Sequence, residues 1–250
     1  MKILKSIQEW KDEKKNIVGK IGFVPTMGAL HLGHLSLVRF SKKDCEKTIV
    51  SIFVNPTQFN DPNDLKAYPR MLEEDALKLE NEGVDYIFAP EFSELYPDDY
   101  SYVVTEKKLS NVLCGKSRPG HFDGVLSVVM KLFNIVEADK AYFGEKDYQQ
   151  LELIKGMVEA FFMKTQIIPC PTIREEDGLA MSSRNLRLSA EGRLKAPLFH
   201  RALLMPKTCE EVKNHLEKLG FKVDYIEERL DRRFGAVFLD NVRLIDNVAR

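Results

Sequence analysis

Gly22-Phe23-Val24-Pro25-Thr26-Met27-Gly28-Ala29-Leu30-His31-Leu32-Gly33-His34 is the stretch that decides the fold of this 250-residue chain. The apolar run Lys20–Val24 leads into it and reads as a strand. The apolar-periodic run Leu35–Lys43 follows it and reads as a helix. A strand, a glycine-containing turn and a helix form the arrangement with which α/β proteins bind phosphates. The helix N-terminus presents unpaired N–H groups and the positive end of the dipole. Gly28 and Gly33 allow the backbone to come close to a ligand. His31 and His34, spaced i, i+3, share one face of a helical turn and can donate hydrogen bonds to phosphate oxygens. They could equally cap the turn or lie on a solvated face. A zinc site would need further ligands, and none stands nearby in the sequence.

Downstream, strands and helices alternate. Thr48–Val54 is a β-branched apolar run and reads as a buried parallel strand. Leu72–Glu82 has helical spacing and stops at Gly83, and Val84–Ala89 is a third strand. Ser127–Val136 reads as a helix, Lys140–Phe143 as a strand, Leu151–Met163 as a helix and Gln166–Pro169 as a last core strand. This order predicts an α/β fold, a Rossmann-like doubly wound parallel sheet with ligands at the carboxyl ends of its strands. Beyond Pro169 and Pro171 the texture changes. Helical Thr208–Leu219 and strand-like Lys222–Ile226 and Ala236–Leu239 predict a smaller C-terminal α+β domain. The expected division is residues 1–173 and 174–250.

Composition narrows the function classes. The chain is 44% hydrophobic and 30% charged, with a formal net charge of −1, which gives no basic coat for nucleic acid or a membrane surface. No apolar run approaches the ~20 residues of a membrane helix. Cys45, Cys114, Cys170 and Cys209 are far apart and form no C-x-x-C, which fits reduced thiols in a cytoplasmic protein. No signal peptide is expected, since Met1–Ser6 leads directly into polar sequence.

Four further stretches carry chemistry. Gln58 follows the second strand through the turn Asn55-Pro56, and its amide could grip a carboxylate or hydroxyl, or simply shape the turn. Arg118-Pro-Gly120-His121-Phe-Asp-Gly124 could order over an anion or be a surface loop. Gly144-Glu145-Lys146-Asp147 is a second strand-to-helix turn, whose lysine could neutralise developing phosphate charge. Met181-Ser182-Ser183-Arg184-Asn185 combines two hydroxyls and a guanidinium, and could be a phosphate loop or a polar linker. Glu73, Glu74 and Asp75 could hold Mg²⁺ or form the solvated face of a helix.

His31-Leu-Gly33-His34 is similar to the H-x-G-H signature of the nucleotidyltransferase superfamily. The longer Pro25–His34 string resembles the pantothenate synthetase (pantoate–β-alanine ligase) family within it. Phe53-Val-Asn55-Pro-Thr-Gln58-Phe, Tyr68-Pro-Arg70, Arg118–Val125 and Phe143–Gln150 resemble the same family, and Met181–Asn185 resembles its counterpart of the K-M-S-K-S loop. The resemblance implies an ATP-dependent ligase that joins pantoate to β-alanine through an acyl-adenylate, with Mg²⁺ accompanying the ATP. It implies catalytic roles for His34, His31 and Lys146. It places ATP on Met27, Gly28, Ala29, Leu30, His31, Leu32, Gly33 and His34, on Gly144, Glu145, Lys146 and Asp147, and on Ile173, Met181, Ser182, Ser183 and Arg184. It gives Gln58 and Gln150 to the acid substrate. Metal ligands stay unassigned. It further implies a cytoplasmic homodimer whose small substrates are its partners, with no nucleic acid and no membrane. The C-terminal domain is expected to act as a lid, and the segment between Val223–Ile226 and Val242–Asp246 is shorter than the family leads one to expect. Two rivals remain at this point: a superfamily relative that adenylylates a phosphate-bearing acceptor, and a catalytically inactive nucleotide- or RNA-binding module.

Overall fold

The computed structural model describes residues 1–250. Nine strands form two sheets: β1 (Lys2–Leu4), β2 (Ile21–Thr26), β3 (Lys47–Ile52), β4 (Tyr86–Phe88), β5 (Lys140–Gly144) and β6 (Gln166–Cys170) in the first, β7 (Lys222–Arg229), β8 (Arg232–Leu239) and β9 (Val242–Ala249) in the second. The first sheet is wholly parallel, in the order β1-β4-β3-β2-β5-β6. The chain winds outward from β2 through β3 to β4, then returns to place β5 on the other side of β2. The switch point of the sheet therefore lies between β2 and β5, where doubly wound proteins bind ligands at the strand ends.

Helices cover both faces, and side-chain alternation along β2 separates them. Val24 joins Val50, Ile87, Leu35, Val38 and Leu79 under the helices Leu32–Asp44 and Leu72–Asn81. Phe23 points the other way and meets Phe133 of the helix His121–Val136 edge to face, with ring centres 6.3 Å apart. That helix begins earlier than Ser127, because His121 to Gly124 continue its apolar face instead of forming a loop. Strand β1 and the helix Ile7–Lys14 were not foreseen. The helix opens with a capping box between Ser6 and Glu9, and its fully buried Trp10 donates from the indole N–H to the Ile135 carbonyl at 3.0 Å.

The second sheet is an antiparallel meander packed on the helices Pro197–Leu203 and Cys209–Lys218. Phe199, Leu203, Val212, Leu216, Val237 and Leu244 form its core. Leu230-Asp231 and Asp240-Asn241 make its turns, each with positive φ at both residues, as two-residue hairpins of right-handed twist require.

The compact units are residues 1–144 with 149–170, and residues 145–148 with 171–250. They differ from the expected division at 173 in two respects. The second unit starts at Pro171, since the Ile173 carbonyl accepts from Met181 N–H at 3.0 Å and Arg174 bridges Ala180, which closes a hairpin. It also takes in Glu145–Tyr148. Tyr148 packs on Phe234 at 6.2 Å and under the Arg232 guanidinium at 4.4 Å, both partners lying in β8.

Candidate active site

In the first unit the turn Met27–Leu30 joins β2 to the helix Leu32–Asp44. Gly28 has φ +79°, and a Cβ there would meet Asp75 Oδ2 at 3.0 Å and Ile52 Cγ2 at 3.1 Å. Ala29 shares the left-handed region at φ 50°. This turn is held from behind by Asp75, which is fully buried and accepts from Ala29 N–H at 2.7 Å and Leu30 N–H at 2.8 Å. Lys78 lies 3.7 Å from that carboxylate and donates to the Leu30 carbonyl at 2.9 Å. Asp75 is thus neither on a solvated face nor turned to a metal. Glu73 and Glu74 lie exposed beside it, off the buried face of their helix. Asp75→Asn is expected to destabilise the unit by about 2–4 kcal/mol. An amide cannot accept from both N–H groups and leaves Lys78 unmatched. A denaturation curve with unchanged stability would sink this account.

His31 is the N-cap of the helix and His34 its third residue. His31 Nδ1 accepts from Gly33 N–H at 3.1 Å, and His34 Nδ1 accepts from His31 N–H at 3.4 Å, a reciprocal capping box made by imidazoles. The rings lie 4.1 Å apart. With Nδ1 accepting, a neutral ring carries its proton on Nε2, so each histidine is a donor at Nε2. Capping therefore does not exclude ligand donation, since it uses Nδ1 and not Nε2. No acidic residue occupies the first turn of this helix.

Gln58 sits in the 3₁₀ turn Pro56–Gln58 after β3, the parallel neighbour of β2. Its Nε2 donates to Met27 Sδ at 3.2 Å, and its Oε1 accepts from Asn55 Nδ2 at 3.1 Å. A thioether is a weak acceptor, so a carboxylate or hydroxyl oxygen would be a better partner for that amide. Asn55, only 1% exposed, also donates to the Gly124 carbonyl at 3.2 Å and accepts from Tyr96 O–H at 3.1 Å. Burial pushes the Tyr96 hydroxyl up to about 12, so it stays a donor at neutral pH. In the Arg118–Gly124 stretch, residues from His121 on are helical, and Arg118 and His121 turn to the Gln58 carbonyl. His121 Nδ1 donates to the Gln58 carbonyl at 2.8 Å, Arg118 Nη2 donates to the same oxygen at 3.2 Å, and Arg118 Nη1 meets His121 Nε2 at 3.0 Å. Asn55, Tyr96, Arg118 and His121 are the positioning residues that sequence reasoning had not assigned. Gln150 is half-buried on the helix Tyr148–Ala160. Its neighbour Gln149 is spent inside, donating to the Leu109 and Val112 carbonyls at 2.8 Å each.

In the second unit Lys146 is 19% exposed and stands 3.7 Å from Asp147. Ser182 caps the 3₁₀ turn Ser183–Arg187, its hydroxyl accepting from Arg184 N–H at 3.3 Å. The hairpin that delivers this turn is anchored by Arg174. Its guanidinium donates to both oxygens of Asp246 at 2.7 and 3.0 Å, while His200 Nδ1 meets the same carboxylate at 2.9 Å. Burial opposes ionisation of Asp246, but the His200 and Arg174 hydrogen bonds outweigh it and hold the carboxyl below its ordinary 3.8. A depressed folded value means stability that is present above 3.8 and lost as pH falls through the folded value. Asp246→Asn is therefore expected to lower stability at neutral pH by about 3 kcal/mol and to flatten its decline in acid. Melting curves at several pH values check both parts.

The structure thus brings Met27 to His34, Asn55 and Gln58 together at the ends of β2 and β3, and gathers Glu145 to Asp147, Ile173 and Met181 to Arg184 within the second unit. No group of three or more His, Cys, Asp or Glu is arranged to hold a metal ion. No helix is long and apolar enough to cross a membrane.

Residues 1–249 match the sequence profile of the family described as pantoate-beta-alanine ligase. Pantothenate synthetase of Bdellovibrio bacteriovorus is 54% identical over 246 residues, 98% of each chain. The pantoate-beta-alanine ligase of Francisella tularensis, solved in complex with beta-gamma ATP and beta-alanine, is 44% identical with a TM-score of 0.95, covering 100% of this chain and 97% of its own. The Thermus thermophilus enzyme is 38% identical with a TM-score of 0.91, covering 100% and 99%. These proteins have no long segment missing here, so the short C-terminal meander is no truncation relative to them.

Proposed function

The chain belongs to the pantoate–β-alanine ligase family, and from that premise we propose how its residues carry out the ATP-dependent condensation of pantoate with β-alanine. A carboxylate is a poor electrophile. Attack by the pantoate carboxylate on the α-phosphorus of ATP forms the pantoyl adenylate and expels pyrophosphate. The β-alanine amine then attacks the activated carbonyl, the amide forms, and AMP leaves.

The first step places negative charge on the phosphate oxygens, and catalysis of such transfers is mostly positioning and electrostatic stabilisation. We assign His31, His34, Lys146, Ser182, Ser183 and Arg184 to the triphosphate, with the backbone of Met27–Gly33, Gly144–Asp147 and Ile173–Met181 beside the nucleotide. The observation that carries the assignment is the histidine pair. Backbone N–H groups bond both Nδ1 atoms, so each neutral ring carries its proton on Nε2, at a helix N-terminus with no acid in its first turn. Gln58 and Gln150 are assigned to pantoate. The thioether partner of Gln58 is one that a substrate oxygen would displace.

Mg²⁺ belongs to this reading as an escort of the phosphates. The chain offers no carboxylate cage for it, and Mg²⁺ binds well with few protein ligands and several waters. A cytoplasmic homodimer with small-molecule partners completes the proposal.

The test is release of AMP and pyrophosphate from ATP and Mg²⁺ with pantoate, with and without β-alanine. Turnover that needs both substrates, with AMP matching amide, supports the ligase. Sustained AMP formation without the amine, or transfer to a phosphorylated acceptor, overturns it. Gln58→Ala is expected to raise the pantoate KM about 10-fold or more, as loss of a buried polar partner predicts, and to leave the ATP KM nearly unchanged. Equal effects on both would mean that Gln58 only shapes its turn.

A further inference from the structure

Asn247 lies in β9 and is 2% exposed. Its amide nitrogen donates to the Glu145 carbonyl and to the Lys146 carbonyl, each at 2.9 Å. Its amide oxygen accepts from Arg232 Nε. Both amide hydrogens and the oxygen are therefore engaged, and two of the three bonds hold one stretch of backbone a hundred residues away. That stretch carries Lys146. The residue before it in β9, Asp246, accepts from the Asn247 backbone N–H at 2.8 Å and holds Arg174, the anchor of the hairpin before Met181. Tyr148 closes the other side of the turn, lying under the same Arg232 that bonds Asn247.

We propose that Asn247 is a positioning residue for Lys146: it fixes the peptide from which the lysine side chain departs, and so sets where the ammonium group meets the triphosphate. This rests on the reading of Lys146 as a triphosphate cation. A buried asparagine in a strand could merely satisfy its neighbours. The pairing of both N–H bonds on two successive carbonyls of the turn favours a positional role, since each carbonyl alone could turn to water. The 3₁₀ turn Glu145–Asp147 that carries Lys146 is a single short turn, and such turns have poor hydrogen-bond geometry of their own.

The experiment uses the full chain and compares Asn247→Ala, Asn247→Asp and Lys146→Ala, with the Asn247→Ala/Lys146→Ala double variant. Misplacement of a reacting group by about 1 Å can cost 100-fold. Asn247→Ala is expected to lower kcat for AMP formation roughly 10- to 100-fold, with the β-alanine KM unmoved. Asn247→Asp keeps the Arg232 partner but faces two carbonyls with an acceptor, and is expected to be at least as impaired. In the Lys146→Ala background, Asn247→Ala should add less than about 3-fold, because it acts through the missing lysine. Losses that multiply in the double variant, an Asn247→Asp enzyme of normal kcat, or an Asn247→Ala enzyme within about 3-fold of the parent would each overturn the proposal. If Lys146→Ala alone retains normal turnover, the role of Lys146 fails first, and the single variant shows it separately. Should Asn247→Ala melt below the assay temperature, Asn247→Ser, which keeps one donor, takes its place, with a smaller kcat loss expected and an unchanged kcat overturning the proposal.

Discussion

His34→Ala is expected to slow AMP formation about 100-fold or more while the protein still folds, the loss typical of removing one well-placed donor from a developing anion. The size follows from how the ring is held. Its Nδ1 is bound to the His31 N–H and its ring lies against that of His31, so Nε2–H is oriented before substrate arrives. A donor already oriented needs no reorganisation at the moment of reaction, which is where most of the gain lies. The accompanying stability loss is small by comparison, about 1 kcal/mol for a damaged cap. His34→Gln separates the two effects. Glutamine at this position can still reach back to the N-cap N–H, so it should melt like the parent and yet turn over slowly. Initial rates and melting temperatures of both variants are the measurement. A His34→Ala enzyme with near-normal turnover removes the residue from the mechanism.

Gly124→Ala is expected to raise the pantoate KM as much as Gln58→Ala does, without touching the substrate site directly. On propensity alone the change should stabilise a helix by up to about 1 kcal/mol. Space decides otherwise. A Cβ at Gly124 would stand 2.5 Å from the Thr57 carbonyl oxygen and 2.7 Å from Gln58 N, and these are backbone atoms that cannot swing aside. Either the helix His121–Val136 or the Pro56–Gln58 turn must shift, and overpacking of this kind costs about 1–3 kcal/mol. The turn is held to that helix by the Arg118 and His121 bonds to the Gln58 carbonyl and by Asn55 on the Gly124 carbonyl, so a shift at Gly124 is passed to it. Displacing it by a few tenths of an ångström moves the Gln58 amide with it. KM values for pantoate and ATP, beside a melting curve, settle the matter. A more stable Gly124→Ala enzyme with an unchanged pantoate KM would show that the contact yields without consequence.

The parallel sheet and the two histidines were legible in the sequence because their signals are local. Five of the six parallel strands announce themselves as short apolar runs, and a histidine pair at i, i+3 after a glycine turn can be read without knowing its surroundings. What escaped depends on distant partners. Strand β1 has three residues and exists by pairing with β4, far along the chain. Asp75 stands next to two acids that do face outward, and only the turn at Ala29–Leu30 distinguishes it. Arg118 and His121 left an anion loop and a surface loop open because their chemistry suits an anion, yet a carbonyl oxygen is also an acceptor, and that of Gln58 takes both. Residues 145–148 follow a strand of the first unit in sequence, and their attachment to β8 and β9 is made by Tyr148 and Asn247, which no local pattern reveals. The missed helix at Ile7 is the exception, since Ser6 and Glu9 spell out its start.

The helix that follows β2 begins without a single carboxylate in its first turn. Most helices use such a group to offset the partial charge at that end, at a gain of some tenths of a kcal/mol. Here the helix carries no acid of its own in that turn, and Asp75 is engaged by the N–H groups of Ala29 and Leu30 before it, so the end favours an anion such as the triphosphate of the proposed reading. Folding stability and substrate capture therefore draw on the same field. The enzyme should grow more heat-resistant as nucleotide concentration rises, by RT ln(1 + [L]/Kd). A stabilising acid engineered into that turn would act as a tethered competitor of its own substrate, which makes this helix end a poor target for consensus-style thermostabilisation.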